Sequence, residues 1–368
     1  MTTKNSRPLD PRPGILEIKP YVGGESELEG MAKVMKLSSN EGALGPSPRA
    51  VEAYKHHAAE MHRYPDGGAT KLRAAIAARY GLDAERIVCG AGSDELITLL
   101  CRAYVAPGEE ILYPRHGFLM YAINAKGVGG SAVTAAEVDL TANVDTLLAA
   151  VTPRTRAVFL ANPNNPTGSY MPASEVQRLR DGLPEDVLLV IDAAYAEYVG
   201  RNDYTPGVEL VDATANTVMT RTFSKIHGMG GLRLGWAYCP PAVADVLNRL
   251  RNPFNAPSAA QAAGIAAIED VAFTDLVRAH NDHWLPWTAD KIRALGFEVA
   301  PSVANFVLVH FPDQPGRDVA SADDFLRARG IIVRRVSAYG LPKSLRITIG
   351  TGDEMQAVVA ALTEFVGS

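Results

Sequence analysis

Through the first two thirds of the chain, short apolar runs alternate with longer stretches whose apolar positions recur every three or four residues. That rhythm predicts an α/β fold built on a mostly parallel sheet. The apolar runs place seven strands, at residues 86–89, 110–113, 132–138, 156–161, 187–192, 217–222 and 234–239. Val187-Leu-Leu-Val-Ile191 is apolar at every position, as a central strand covered on both faces must be. The helical spacing predicts helices at 47–61, 69–80, 94–104, 174–181, 241–251 and from 259 to about 283. Ser93-Asp-Glu-Leu96 reads as a helix start, with acids in the first turn where the helix dipole favours them.

The rhythm changes in the last third. Strands are expected at 297–299, 306–310, 331–334 and 345–349, with helices at 322–329 and 353–365, which together make a smaller α+β domain. Asn252-Pro-Phe-Asn-Ala-Pro257 breaks the preceding pattern and marks the change. A proline-rich opening from Pro8 to Pro20 reads as an extended arm. The expected organisation is an arm over residues 1–40, a large domain over 41–254 with its sheet sandwiched by helices, and a small C-terminal domain over 255–368.

Composition adds limits. The chain has 368 residues, enough to bury a sizeable core, and 47% hydrophobic with 21% charged residues is the balance of an ordinary globular protein. A net charge of −5 argues against nucleic acid as a partner, because binding its phosphate backbone needs a broad basic surface. An anionic ligand has to be met locally, by a few placed arginines. Cys89, Cys101 and Cys239 form no CxxC pair and suggest neither a disulfide framework nor a zinc site, which fits a reducing cytoplasm. No leader-like apolar segment opens the chain and no apolar run approaches the ~18 residues of a membrane span, so no membrane association is expected.

The candidate chemistry starts at residues 222–236, TFSKIHGMGGLRLGW. Lys225 follows an apolar strand; its ordinary reading is a solvated loop charge. The lysine precedes the glycines, the reverse of a GxxxxGK(S/T) phosphate loop. Arg233 is flanked by glycines that clear space around a guanidinium able to grip a phosphate, and Thr222 and Ser224 add hydroxyl donors. Asp192 ends the most apolar strand, where ligands of open α/β sheets bind; it either caps the next segment or faces a cation. Asn162-Pro-Asn-Asn-Pro-Thr-Gly168 is a turn by composition, and Asn165 within it can donate to a ligand oxygen. Gly90-Ala-Gly-Ser-Asp-Glu95 joins a strand to a helix, a place where backbone N–H groups favour an anion.

Together the S-x-K…GLR, N-P-x-N-P-T-G and D-x-A-Y patterns resemble the fold-type I aminotransferases that use pyridoxal 5′-phosphate (PLP), over nearly the whole chain. The resemblance implies that Lys225 is the Schiff-base lysine, that Asp192 meets the pyridine nitrogen, and that Tyr195 and Asn165 meet the ring oxygen. It assigns the phosphate to Thr222, Ser224, Arg233 and the Gly92-Ser93 amides, with Asp94 beside them. It also implies that His116 stacks on the ring, and that Tyr64 reaches the phosphate in a neighbouring subunit, making a homodimer obligatory.

Pro20-Tyr-Val-Gly-Gly24, Leu37-Ser-Ser-Asn-Glu41, Arg63-Tyr-Pro-Asp66, Tyr339-Gly-Leu-Pro342 and Ser344-Leu-Arg-Ile-Thr-Ile-Gly350 resemble one branch in particular, the histidinol-phosphate aminotransferases. That branch exchanges an amino group between L-histidinol phosphate and 2-oxoglutarate in histidine biosynthesis. Arg346 and Arg334 are then the expected anion binders, with Asn40 beside the substrate and Tyr21 closing from the arm. The chain departs from the branch at Gly42-Ala43, where Asn-Pro is usual, and at Arg335, a common proline position, which suggests a third arginine near the anion site. A histidine at 116, where many relatives carry a tyrosine or phenylalanine, leaves an aromatic-amino-acid transaminase as the alternative. His56, His57 and His62 are explained by an exposed helix face, and no metal is expected.

Overall fold

The computed structural model describes residues 10–31 and 33–367; the start of the arm, through Leu9, lies outside the described residues. The large sheet consists of β1 (Ile87–Gly90), β2 (Glu110–Pro114), β3 (Ser131–Ala135), β4 (Thr155–Ala161), β5 (Leu188–Asp192), β6 (Thr217–Thr222) and β7 (Gly235–Tyr238). Their order is β1-β7-β6-β5-β4-β2-β3. Only β7 runs antiparallel to its neighbours.

The alternation of side chains along β5 shows how the sheet is sandwiched. Leu188 and Val190 point into a core with α3 (Ser93–Tyr104), α4 (Leu119–Gly127) and α8 (Pro241–Leu250). Leu189 and Ile191 point into the opposite core, with α5 (Val144–Ala149), α6 (Ala173–Gly182) and Leu210 of α7 (Val208–Ala213). On that same side, α1 (Pro48–Ala58), α2 (Thr70–Tyr80) and α9 (Ser258–Glu269) cover the β1 end, against Ile87, Cys89, Met219 and Trp236.

The small domain carries β8 (Glu298–Val299), β9 (Phe306–His310), β10 (Arg334–Arg335) and β11 (Ser344–Thr348) in the order β8-β9-β11-β10, all antiparallel. Its core also takes α11 (Val319–Arg327), α12 (Gly352–Gly367) and the end of α10 (Val271–Ala294). Leu37 joins this core, and Met35–Lys36 pairs in parallel with Ile331–Ile332, so the end of the arm is stitched to the small domain.

Several elements differ from expectation for local reasons. The strand expected over 132–138 stops at Ala135; Glu137–Val138 turns into a hairpin with Thr141–Ala142 through Asp139 and Leu140, both at positive φ. The 331–334 strand divides at Val333, one half pairing with the arm and the other with β11. The helix expected from 259 breaks at Asp270, whose carboxylate accepts from Phe273 N and caps the second segment. Ala256, Ala263, Ala267 and Ile268 pack with the α1 and α2 core.

Gly235 opens β7 where the strand crosses the start of α3. A Cβ there would lie 2.4 Å from Ser93 N and 2.6 Å from Gly92 C, both backbone atoms that cannot rotate away. Gly235→Ala is expected to lose about 1–3 kcal/mol of stability through overpacking. Thermal melting checks this; an unchanged midpoint would mean that the turn yields freely.

Candidate active site

The carboxyl ends of β4, β5 and β6 open into a cavity of about 320 Å³, closed on the other side by the arm and the small domain. This is where an open α/β sheet binds ligands, and the volume suits a small molecule.

Asp192 ends β5 and is almost fully buried at the cavity wall. Tyr121 Oη donates to its Oδ2 at 2.8 Å and Thr220 Oγ1 to its Oδ1 at 3.3 Å. Burial raises the carboxyl to about 6, against the pull of these two bonds, and Asp94 pushes in the same direction as burial. A carboxylate held there is a site for a cationic partner.

Lys225 lies three residues beyond β6, and its Nζ donates to Ser39 O at 3.2 Å and lies 5.7 Å from the Tyr195 ring centre. Burial, helped by the Arg346 charge, brings its amine down to about 8. Tyr195 Oη accepts from Asn40 Nδ2 at 2.8 Å, and burial lifts the phenol to about 12. Asn40 is fixed by its own N–H donating to Thr348 Oγ1 at 2.9 Å and by Asn305 Nδ2 donating to its carbonyl at 3.2 Å.

Arg346, on β11, is buried between the domains. Its Nη1 donates to Asn165 Oδ1 at 2.5 Å and its Nη2 to Ser38 O at 2.7 Å, while its buried Nε has no partner among the described residues. A guanidinium can only donate, so the oxygen of the Asn165 amide faces it and the amide nitrogen is left for another acceptor.

The opposite end of the cavity is lined by Ser93, Asp94, Thr222, Ser224, Gly230 and Arg233. Ser93 and Asp94 open the twelve-residue α3, whose N-terminal amides and dipole favour an anion. Arg233 sits in a left-handed conformation, φ 52°, and donates to Gly230 O at 2.9 Å and Asp94 Oδ2 at 3.3 Å. A Cβ on Gly92 would lie 2.4 Å from Arg233 Nη2, so the missing side chain is what seats the guanidinium. Glu95 braces the turn from behind, accepting from Ala91 N at 2.6 Å and Asn255 Nδ2 at 2.7 Å.

Three expected positions are placed differently. His116 is not on the cavity wall; its Nδ1 is held by Tyr339 O at 2.6 Å, and Phe118, two residues on, supplies the aromatic face. The tight turn at Gly117, whose N–H donates to Pro114 O, reverses the chain between the two rings and gives Phe118 the inward position. Arg334 lines the mouth, but its two Nη groups donate to Gly23 O and Val22 O at 2.6 Å, which ties down the arm. Arg335 is exposed, because alternation along β10 turns it away from Arg334. Tyr64 stands outside the cavity, 83% exposed and stacked on Phe254 at 4.6 Å. Tyr21 does reach the wall and meets Phe118 edge-on.

Tyr121, Phe118, Glu95 and Ser39 were not singled out by sequence. For Phe118 the signal was present, an aromatic residue in the loop after β2. For the others it was not, since they act through neighbours remote in the chain. His56 and His62 are exposed on and after α1, and no cluster of three His, Cys, Asp or Glu able to hold a metal occurs among the described residues.

The site therefore presents a buried amine, a buried carboxylate across from it, an anion cradle at one end and a buried guanidinium at the other. That set fits PLP, whose aldehyde, ring nitrogen, phosphate and ring oxygen each find a complementary group. The family model for class I and II aminotransferases matches residues 32–362, and the chain belongs to that family. Within it, the chain is 66% identical to a protein of Paramagnetospirillum magneticum named histidinol-phosphate aminotransferase, covering 97% of this chain and 99% of that one. A protein of the same name from Rhodospirillum rubrum is 60% identical over 97% of this chain and 96% of its own length. A crystal structure of histidinol-phosphate aminotransferase from Sinorhizobium meliloti in complex with pyridoxal-5′-phosphate superposes with a TM-score of 0.89 at 30% identity, over 96% of each chain.

Proposed function

We propose that the protein is a PLP-dependent histidinol-phosphate aminotransferase that exchanges the amino group between L-histidinol phosphate and 2-oxoglutarate. The observation that carries the reading is the convergence of Lys225, Asp192 and Arg346 on one cavity from three distant parts of the chain. The relatives' names favour histidinol phosphate as the amino donor.

PLP, when bound, supplies the electron sink for the bond broken at the substrate's Cα. Lys225 would hold the cofactor's aldehyde carbon, and its Nζ, an amine brought down to about 8 by burial, would be the base for the proton on the substrate's Cα. Asp192 holds a proton on the ring nitrogen through its charge, and Tyr195 and the amide nitrogen of Asn165 donate to the ring oxygen. The α3 amides, Ser93, Ser224 and Arg233 bind the phosphate. Arg346 meets the substrate's anionic group, since one guanidinium fork pairs with carboxylate and phosphate oxygens alike.

We read the active form as a homodimer in which Tyr64 serves a second copy's site; its exposure beside Phe254 supports that reading. No helix among the described residues is long and apolar enough to cross a membrane, and Cys89, Cys101 and Cys239 are all free; a cytoplasmic enzyme fits both.

Phe118 and Tyr21 form an aromatic mouth that also suits a phenylalanine or tyrosine donor, which is the second reading. Steady-state turnover with L-histidinol phosphate and with L-phenylalanine, each against 2-oxoglutarate, separates the two. The phosphorylated donor is expected to lead by about 100-fold in kcat/KM, because a site built for polar groups rejects an analogue lacking them. The reverse order would make the enzyme an aromatic transaminase.

A further inference from the structure

Tyr121 has no part in the roles given so far, yet it touches the most consequential carboxylate in the site. It lies on α4, fully buried, with its ring stacked on Phe159 at 4.9 Å and edge-on to Phe118 at 5.8 Å and Tyr113 at 5.7 Å. This cage leaves the ring one direction to point, and along it the hydroxyl reaches Asp192 Oδ2 at 2.8 Å. We infer that Tyr121 is a positioning residue of the transamination, fixing the rotamer of Asp192 and keeping its carboxylate ionised opposite the cofactor's ring nitrogen. The inference rests on the PLP reading above.

The physical case begins with what surrounds the carboxylate. Thr220 from β6 donates to the other oxygen, and the Ala194 N–H also bonds to it. The titratable groups that face it are Tyr121 from α4, Asp94 from α3, and Tyr195 and Tyr204 from the segments after β5. None of these brings a positive charge. Before the cofactor enters, hydrogen bonds are therefore the means by which the described surroundings favour the ion, and Tyr121 provides the shortest side-chain one. The phenol is suited to the task because burial and the neighbouring Asp192 charge keep it protonated, so it always donates. A donor on Oδ2 also fixes which lone pairs remain to accept from a ring N–H.

The sign follows. A carboxylate that loses a charge-assisted donor inside a buried site protonates at higher pH, and a neutral carboxyl has no charge to hold a protonated ring nitrogen. In the Tyr121→Phe enzyme, PLP retention is therefore lost at higher pH than in the parent.

The test uses purified holoenzyme and measures free PLP by equilibrium ultrafiltration between about pH 5 and 8, with kcat and KM for both substrates recorded alongside. For Tyr121→Phe, the dissociation constant for PLP is expected to rise about 10-fold near pH 5, where the carboxyl is largely protonated, and only about 2-fold near neutral pH, the effect of losing one hydrogen bond to a charged group. The midpoint of its pH dependence should move up by about one unit. kcat should fall while KM for the two substrates changes less than about 3-fold, as for a change remote from the substrate anion site. In an Asp192→Ala background the same substitution should add less than about 2-fold, because the group it acts on is gone. An unmoved pH midpoint with unchanged PLP retention overturns the inference. So does a 10-fold loss that persists without Asp192, which would make Tyr121 a packing residue. A parent enzyme that neither retains PLP nor transaminates would instead remove the underlying reading, so the two failures are distinct.

Discussion

Lys225→Ala is expected to lose turnover by at least ~10⁴-fold and to lose the visible absorption of covalently bound cofactor. Two functions disappear together, since the same Nζ anchors the aldehyde and takes the Cα proton. The side chain spans the cavity between Ser39 O and the Tyr195 ring, and no other lining residue among the described ones offers a primary amine. Its removal costs the fold little. An amine lowered to about 8 by burial is a charge held where it is disfavoured, so the alanine variant should melt no lower than the parent when both are free of PLP. Millimolar methylamine should restore part of the turnover by entering the space vacated. Absorbance spectra, melting curves and turnover check these points. Full activity in Lys225→Ala would falsify the assignment of the covalent residue.

Arg346→Ala is expected to raise KM for both L-histidinol phosphate and 2-oxoglutarate by about 100-fold, the scale of losing a buried charged donor pair. The equal effect is the diagnostic part, because one guanidinium is proposed to meet a phosphorylated and a dicarboxylic substrate in turn. The structure supports one shared site. Arg334 ties down the arm and Arg335 points to solvent, so Arg346, buried on the cavity wall, is the arginine proposed to meet the anion at the small-domain end, where a substrate oxygen has to share or displace its Nη bonds to Asn165 and Ser38. kcat should fall as well. Nη1 holds the oxygen of the Asn165 amide, and without it that amide is free to turn away from the ring oxygen. An increase confined to one substrate would show separate anion sites.

Legibility varied for physical reasons. β5 was clear because a strand covered on both faces has to be apolar throughout, and Leu188–Asp192 is buried at every position. α4 was not, since Leu-Met-Tyr-Ala-Ile-Asn-Ala-Lys-Gly has no polar face to set a period and Phe118 offers no side-chain cap. α5 and α7 are six residues each, too short to build a pattern. The 331–334 run was read as one strand because periodicity records burial and not partners; Val333 is buried although the ladder changes there. That Phe118 and not His116 lines the cavity is not legible, because a loop's order of residues does not reveal which side faces inward.

By itself the sequence determined the sandwiched, mostly parallel sheet and its seven strands, and it singled out the lysine, aspartate, asparagine and glycine-flanked arginine as candidates for the chemistry. These are local facts, fixed by apolar periodicity and by short motifs at strand ends. The tertiary structure alone decided which groups complete them. Tyr121 reaches Asp192 across 71 residues, Asn40 reaches Tyr195 across 155, and Arg346 reaches Asn165 across 181. Separations of that size carry no local signal, because the contacts exist only once the sheet order and the return of the arm have brought the segments together.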